Sequence, residues 1–425
     1  MENKLYDNNE KAERVVLIAV DFENGNQSVD ECLDELQDLA ETAGAEVVGR
    51  MIQKREAPSR SMYFGKGKTE ELKYYCETLE ADAVICDDEL NPSQTDYLEK
   101  NTGLKIMDRT LLILDIFAKH AVSAEGKVQV ELAQLRYKSS HLTGRGREMS
   151  RLGGGIGTRG PGEKKLETDR RRIADRISEL NKSLKEIEEH RSVIREKRLK
   201  SHTPIIALIG YTNAGKSTLM NALTGSDVLC ENKLFATLDT TTRKIKPTEE
   251  SRLEYMFTDT VGFINKLPHG LIKAFRSTLE EVKYADILIH VADASNPNCG
   301  EQMKVVYSLL DELKVKDVPI ITVFNKTDKD IVTPLPSDHN AEYVLQISAK
   351  YKKGIDTLLD TVEKIVKSFK TEVNALIPYS EGNLLNNVYK NCEIVESSHR
   401  QDGTFIKAYV NEEYKQRLQK FEVKE

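Results

Sequence analysis

Long hydrophobic runs are missing from this 425-residue chain: no apolar stretch approaches the 18 or so residues that a membrane-spanning helix needs, which excludes stable membrane insertion. The opening residues, Met1 to Asp7, lack the apolar stretch of a secretory signal, so a cytoplasmic protein is expected. Tryptophan is absent altogether. The six cysteines (Cys32, Cys76, Cys86, Cys230, Cys299, Cys392) form no C-x-x-C pair, which argues against a zinc site or a disulfide framework and for reduced, buried thiols. What is present describes a globular protein, 39% hydrophobic and 31% charged, long enough for two to four domains with ample core. The net charge of −7 is unevenly spread. Residues 136–200 hold nineteen Lys and Arg against ten Asp and Glu, so an acidic chain carries one basic arm suited to a polyanionic partner.

Four short strings in fixed order carry the chemistry. Gly210-Tyr211-Thr212-Asn213-Ala214-Gly215-Lys216-Ser217 fits G-x-x-x-x-G-K-S/T and follows the apolar run Ile205–Ile209, the strand-to-helix context that this phosphate-binding pattern requires. Its glycines let backbone N–H groups close around phosphate oxygens at a helix N-terminus, which continues into Thr218. Lys216 would reach the β- and γ-phosphates and Ser217 would ligate magnesium. Asn325-Lys326-Thr327-Asp328 names the base. Asp328 can accept from N1–H and the exocyclic amine of guanine, Asn325 can reach the O6/N7 side, and the Lys326 stem can lie along the ring. Adenine would leave that carboxylate unpaired, a mismatch that such sites reject by roughly 10⁴-fold. Ser348-Ala349-Lys350, after the apolar stretch Tyr343–Ile347, would support the base from the far side. The nucleotide is therefore GTP or GDP.

The fourth string, Asp259-Thr260-Val261-Gly262, governs hydrolysis. Asp259 should hold magnesium through water, and the Gly262 N–H should touch the γ-phosphate. The next position often carries a glutamine that orients the attacking water. Here it is Phe263, which cannot do so, and slow turnover without a partner follows. By the same argument, truncating Phe263 to alanine should leave the basal rate nearly intact. Between the first and fourth strings lies Phe235-Ala236-Thr237-Leu238-Asp239-Thr240-Thr241-Thr242-Arg243. One threonine there should complete the magnesium shell: Thr237 first, with Thr240 and Thr241 as alternatives. The side-chain oxygen of Asn213 could hold a potassium ion against the phosphates, or the amide could simply cap its turn.

The pattern along the chain predicts an α/β protein of four units. Residues 1–124 alternate strands (Arg14–Phe22, Ala45–Ile52, Ala83–Cys86, Leu104–Met107) with helices (Asp30–Thr42, Thr69–Leu79, Ser93–Lys100, Thr110–His120), which implies a small parallel sheet. Gly65-Lys66-Gly67-Lys68 opens the second helix and could bind an anion through Lys66 and Lys68. Residues 125–200 read as an antiparallel helical hairpin. One stripe is Val128, Leu132, Leu135 and Leu142; the other is Ile173, Ile177, Leu180, Leu184 and Ile187, a coiled-coil seam. The expected connector, 143–162, has eight glycines and four arginines (Arg145, Arg147, Arg151, Arg159). Glycine permits close approach to a polyanion and arginine forks onto phosphate. Arg170, Arg171 and Arg172 extend that basic face. Residues 201–370 form the P-loop GTPase domain, and 371–425 a small α+β domain with a hairpin turn at Gln401-Asp402-Gly403.

Taken with Gly65–Lys68, the stretch Gly153-Gly-Gly-Ile-Gly-Thr-Arg-Gly-Pro-Gly-Glu163, Leu166-Glu-Thr-Asp-Arg-Arg-Arg172, Phe235–Asp239 and Asp259–Phe263, these strings make the chain resemble the HflX family of translational GTPases over nearly its whole length. One departure is Thr240, where the family usually has proline. A monomeric, magnesium-dependent enzyme is expected. The resemblance implies a cytoplasmic GTPase that binds the large ribosomal subunit and its rRNA, with the N-terminal region and hairpin loop approaching the peptidyl-transferase centre. It further implies dissociation of stalled or hibernating ribosomes under stress, with hydrolysis stimulated by the ribosome. Two alternatives remain: a GTPase in ribosome assembly or RNA remodelling, and a signalling GTPase that binds only proteins. The last would leave the basic connector without a purpose.

Overall fold

The computed structural model describes residues 12–22, 28–57, 59–152, 161–200, 203–225, 235, 241–245, 255–266, 280–330, 334–410 and 412–423. The N-terminal unit alternates β1 (Arg14–Phe22), α1 (Val29–Thr42), β2 (Glu46–Arg55), α2 (Lys66–Thr78), β3 (Ala83–Cys86), α3 (Pro92–Thr102), β4 (Lys105–Asp108) and α4 (Arg109–His120). The continuous apolar run of β1 suits a central strand covered on both faces. Local chemistry sets the helix starts. Asn91 and Gln94 form a reciprocal capping box on α3, and the Asp108 carboxylate accepts from the Leu111 N–H at 2.8 Å on α4. The sheet order is β2-β1-β3-β4, all parallel. The chain moves from β1 to one side and then to the other, so the strand order reverses between β1 and β3. In open α/β sheets, ligands lodge at the carboxyl ends of strands at that point.

The hairpin consists of α5 (Ala124–Leu152) and α6 (Pro161–Lys200), 29 and 40 residues long. At 1.5 Å per residue the longer one spans about 60 Å. Leu132 and Leu180 are buried, while Ile173, Ile177, Leu184 and Ile187 are half-buried along the predicted seam. Arg176 forks onto Glu131 at 2.8 and 3.1 Å across the pair. A second face of α5 lies on the N-terminal unit, where Tyr137 donates to Asp108 at 3.0 Å. The connector is shorter than expected. Residues 143–152 continue α5, although Gly144 and Gly146 each cost a helix about 1 kcal/mol, because Arg, Glu, Met and Leu between and after them are good helix formers. Pro161 opens α6, where its missing N–H costs nothing. Residues 153–160 lie outside the described residues.

The second sheet, ordered β10-β9-β8-β5-β7-β6, comprises β5 (Ile205–Gly210), β6 (Thr241–Ile245), β7 (Tyr255–Asp259), β8 (Ile287–Asp293), β9 (Ile320–Asn325) and β10 (Tyr343–Gln346). All pairs are parallel except β6–β7 at the edge. Around it pack α7 (Lys216–Thr224), α8 (Cys299–Glu312) and α9 (Ile355–Ser368). The C-terminal unit is an antiparallel sheet of β11 (Thr371–Ile377), β13 (Gly403–Val410) and β12 (Glu393–Arg400), in that spatial order, with α10 (Gly382–Asn391) and α11 (Glu412–Leu418). Cys32, Cys76, Cys86, Cys299 and Cys392 are buried, and Cys230 lies outside the described residues. Among the described residues no helix is long and apolar enough to cross a membrane.

Candidate functional site

The site is built at the carboxyl ends of β5, β7 and β9. After Gly210 the chain turns through 211–215 onto the N-terminus of α7. Gly215 has φ +94°, and a Cβ there would lie 2.3 Å from the Asn325 amide nitrogen, so no other residue fits. Lys216 is buried beneath the turn, its Nζ donating to the Gly210 carbonyl at 3.1 Å and the Tyr211 carbonyl at 2.9 Å. Burial pulls its pKa down to about 8, with the Asp259 carboxylate acting in the opposite direction. A phosphate would replace the two carbonyls with full negative charge. Gly262 lies against this turn: a Cβ on it would sit 2.9 Å from the Thr212 Cα and 3.0 Å from the Lys216 Nζ. Thr218 follows in the first turn of α7, and Asn213 is exposed at the rim with φ +59°.

The donor set fits magnesium. The Ser217 hydroxyl donates to the Asp259 carboxylate at 2.9 Å, which places two hard oxygen donors together at the helix N-terminus. Among the described residues no group of three or more His, Cys, Asp or Glu could hold an ion alone. The ion would draw its remaining ligands from phosphate oxygens and water, as magnesium commonly does. Thr237, together with Ala236, Leu238, Asp239 and Thr240, lies outside the described residues. Thr241 opens β6.

On the base side, the Ser348 hydroxyl donates to Asp328 at 2.6 Å, and this bond holds the exposed Asp328 carboxyl below the usual carboxylate range. The Lys326 ammonium is fixed on Asp293 at 2.7 Å, and Thr327 donates to the Ile347 carbonyl at 2.9 Å. The Ala349 N–H donates to the Asn325 side-chain oxygen at 3.0 Å, while the Asn325 amide donates to the Ala214 carbonyl at 3.0 Å. Both ends of Asn325 are therefore used. It braces the phosphate loop against the Ser348–Lys350 loop, and its amide nitrogen has a second N–H beyond the one given to Ala214. Lys350 remains exposed beside the Tyr351 ring, 5.4 Å from its centroid.

Three motif residues turn away from the nucleotide position. Thr260 is fully buried and donates to the Leu208 carbonyl at 2.6 Å, tying its loop to β5. Phe263 is buried with Ala207, Ile209, Leu288 and Val306; its backbone pairs with Gly210 and Thr212. It cannot orient water, as expected, but it is a core residue, so alanine there would open a cavity and not leave the site undisturbed. The Phe235 ring packs edge-on against Phe117 of α4, with centroids 4.6 Å apart.

The basic candidates are spread out. Lys66 is exposed at the start of α2, and Lys68 pairs with Glu71 at 2.7 Å. Arg170, Arg171 and Arg172 are exposed on α6, with Arg171 reaching Glu167 at 3.3 Å. Arg145, Arg147 and Arg151 have their backbone in α5, and Arg159 lies outside the described residues.

A set of residues unmarked by any motif joins the N-terminal unit to this site. Tyr211 of the phosphate loop donates to Glu35 of α1 and accepts from the Asn265 N–H at 2.7 Å. Arg109, at the first turn of α4, is buried and holds Asp87 at 2.8 Å, Glu35, and the Asn265 carbonyl at 3.1 Å. Lys266 reaches Asp87 at 2.5 Å and Asp88 at 3.1 Å. Burial opposes the Lys266 charge, but Asp87 and Asp88 more than offset it, and its pKa is raised. Tyr211, Phe235, Val261 and Ile264 also share one apolar cluster with Leu33, Leu36, Ile116 and Phe117. These contacts join positions 22 to 179 residues apart, so no local pattern could have announced them.

Comparison with known proteins agrees with this geometry. Residues 30–118 match the family described as GTP-binding GTPase N-terminal, 120–198 the GTP-binding GTPase middle region, and 205–326 the 50S ribosome-binding GTPase family. GTPase HflX of Lacrimispora saccharolytica is 49% identical over 94% of this chain and 94% of its own length. GTPase HflX of Escherichia coli is 36% identical over 94% of each. A solved structure, the complex of SsGBP with GDP, is 25% identical and covers 84% of this chain and 99% of that one, with a TM-score of 0.46. With identity of this extent over nearly its full length, the chain belongs to the HflX family of GTPases and hydrolyses GTP.

Proposed function

We propose that the protein is a cytoplasmic, monomeric GTPase that binds the large ribosomal subunit and dissociates stalled or hibernating ribosomes under stress. The observation that carries this reading is the pairing of two features. Long α5 and α6 bear the arginine-rich stretch at their joined ends, and Phe263 is turned into the core at the position where a water-orienting side chain would stand. The first supplies a basic arm for rRNA, and the second makes hydrolysis depend on a partner. The match of residues 205–326 to the 50S ribosome-binding GTPase family supports the choice of partner.

At the site, the backbone of 211–216 cradles the phosphates, Lys216 neutralises the β,γ edge, and Asp328 selects guanine. Magnesium, held by Ser217 with help from Asp259 and Thr237, would neutralise charge developing on the phosphates. Asn213 stands where it could place a potassium ion against them. Replacing potassium by sodium should then lower turnover, and Asn213→Ala should erase the difference; equal rates in both salts would leave Asn213 as a turn residue.

The test of the function is sedimentation of intact ribosomes with the protein and GTP, using GDP as the control. Free subunits that appear only with GTP are expected. Binding to large subunits without splitting would move the reading to assembly or RNA remodelling, and no ribosome binding would leave a protein-directed GTPase.

A further inference from the structure

The carboxyl-end crevice of the N-terminal sheet, between β1 and β3, is where an open α/β sheet receives a ligand. Its floor is acidic: Asp87 and Asp88 follow β3, and Asp108 ends β4. The ammonium of Lys266, four residues beyond Gly262, occupies it. Lys266 has φ +49°, a left-handed conformation uncommon for a residue with a side chain. The surroundings here are specific. Asp87 and Asp88 hold the ammonium, Arg109 holds the carbonyl of Asn265, and the Tyr211 hydroxyl accepts from the N–H of Asn265. Glu35 closes the ring by accepting from both Tyr211 and Arg109. Asp87 and Arg109 are 1% and 2% exposed, so these bonds are shielded from competing water.

The ring binds two parts of the nucleotide site to each other and to the N-terminal unit: the phosphate loop at Tyr211 and the turn that follows Gly262. Gly262 already lies against Thr212 and Lys216, three residues before the turn that the ring holds at Asn265. We propose that Glu35, Asp87 and Arg109 are positioning residues of the GTPase, which fix the Asn265–Lys266 turn through Lys266 and Tyr211 and thereby set the Gly262 N–H for the γ-phosphate. The N-terminal unit is then a part of the GTP site. The proposal rests on the assignment of that site and is independent of the ribosome.

The experiment is single-turnover GTP hydrolysis without ribosomes, with GTP and GDP affinities measured in parallel, on the full chain. Lys266→Ala is the first variant, because its half-exposed ammonium can be removed without opening the core. Its rate should fall about tenfold, since small misplacements near reacting groups cost that or more. GTP affinity should fall relative to GDP, because GDP lacks the phosphate that Gly262 meets. Lys266→Arg, which can still reach both carboxylates, should restore both quantities. Asp87→Asn should act in the same direction and add little when combined with Lys266→Ala, as expected for one coupled unit. A Lys266→Ala protein with the wild-type rate, a raised rate, or an equal loss of GTP and GDP would overturn the proposal. A wild-type chain that binds no guanine nucleotide would instead overturn the site assignment.

Discussion

Two parallel sheets in this chain present the same architectural opportunity and answer it with opposite charge. In the GTPase sheet, β5 runs into a glycine turn and a helix N-terminus over buried Lys216, which makes an anion site. In the N-terminal sheet, β3 and β4 run into Asp87, Asp88 and Asp108, and a lysine from the other unit occupies the crevice. The fold supplies the crevice, and the side chains at the strand ends choose the occupant. The first crevice takes a nucleotide from solution; the second takes Lys266, from the turn that serves the first.

The sharpest way to break this comparison is to change the occupant. Asp328→Asn should reverse the choice between GTP and xanthosine triphosphate, whose C2 carbonyl can accept from the new amide; the ratio of affinities, read by competition, should shift by about 10⁴-fold. An unchanged preference for GTP would remove Asp328 from the base site. Next is Phe263→Ala, which tests whether this residue belongs to the chemistry or to the floor of the crevice. Chemical denaturation should show a loss of about 3–5 kcal/mol, as for other buried phenylalanines. A stability equal to that of the wild type, with altered turnover, would place Phe263 in the reaction.

The smallest effect separates the sheets by pH. His290 on β8 is buried against Tyr307, and burial pulls its pKa from 6.5 down to about 4. The unfolded chain binds a proton at His290 below pH 6.5 that the folded chain does not, so acidification from 6.5 to 4 should cost the GTPase sheet up to about 3 kcal/mol. Asp108 of the N-terminal sheet is shifted the other way: burial raises its carboxyl, so its protonated form is favoured on folding and acid does not destabilise through it. Stability measured across this range should fall less steeply in His290→Leu; an unaltered slope would assign the loss to other groups.

Much of this was legible in the chain. β1 and β3 were placed to the residue, because a continuous apolar run flanked by charge has few other readings. The strand, glycine turn and helix around Gly210–Ser217 are legible because backbone turns demand particular residues at particular spacings. What the chain hides shares a cause. Asn325 and Phe235 belong to motifs, but the contacts of their side chains with Ala214, Ala349 and Phe117 are tertiary. The helical reach of α5 through 143–152 was hidden by its glycines, which read locally as loop while the chain keeps helix-forming residues around them. Glu35, Arg109 and Lys266 have no signature at all, since each gains its meaning only from a residue far along the chain.

The central claim is that a basic arm delivers this GTPase to a partner that completes its chemistry. Its most direct test is GTP turnover with and without purified large ribosomal subunits across a salt series, for the wild type and for a variant with Arg145, Arg147, Arg151 and Arg159 all replaced by alanine. The account predicts slow turnover alone and strong stimulation by subunits in the wild type. In the variant the basal rate should be unchanged and the stimulation largely lost, with the log–log salt slope of binding reduced by roughly 0.7 to 0.9 per lost phosphate contact. Equal stimulation of both proteins, or a basal rate already at the stimulated level, would contradict it.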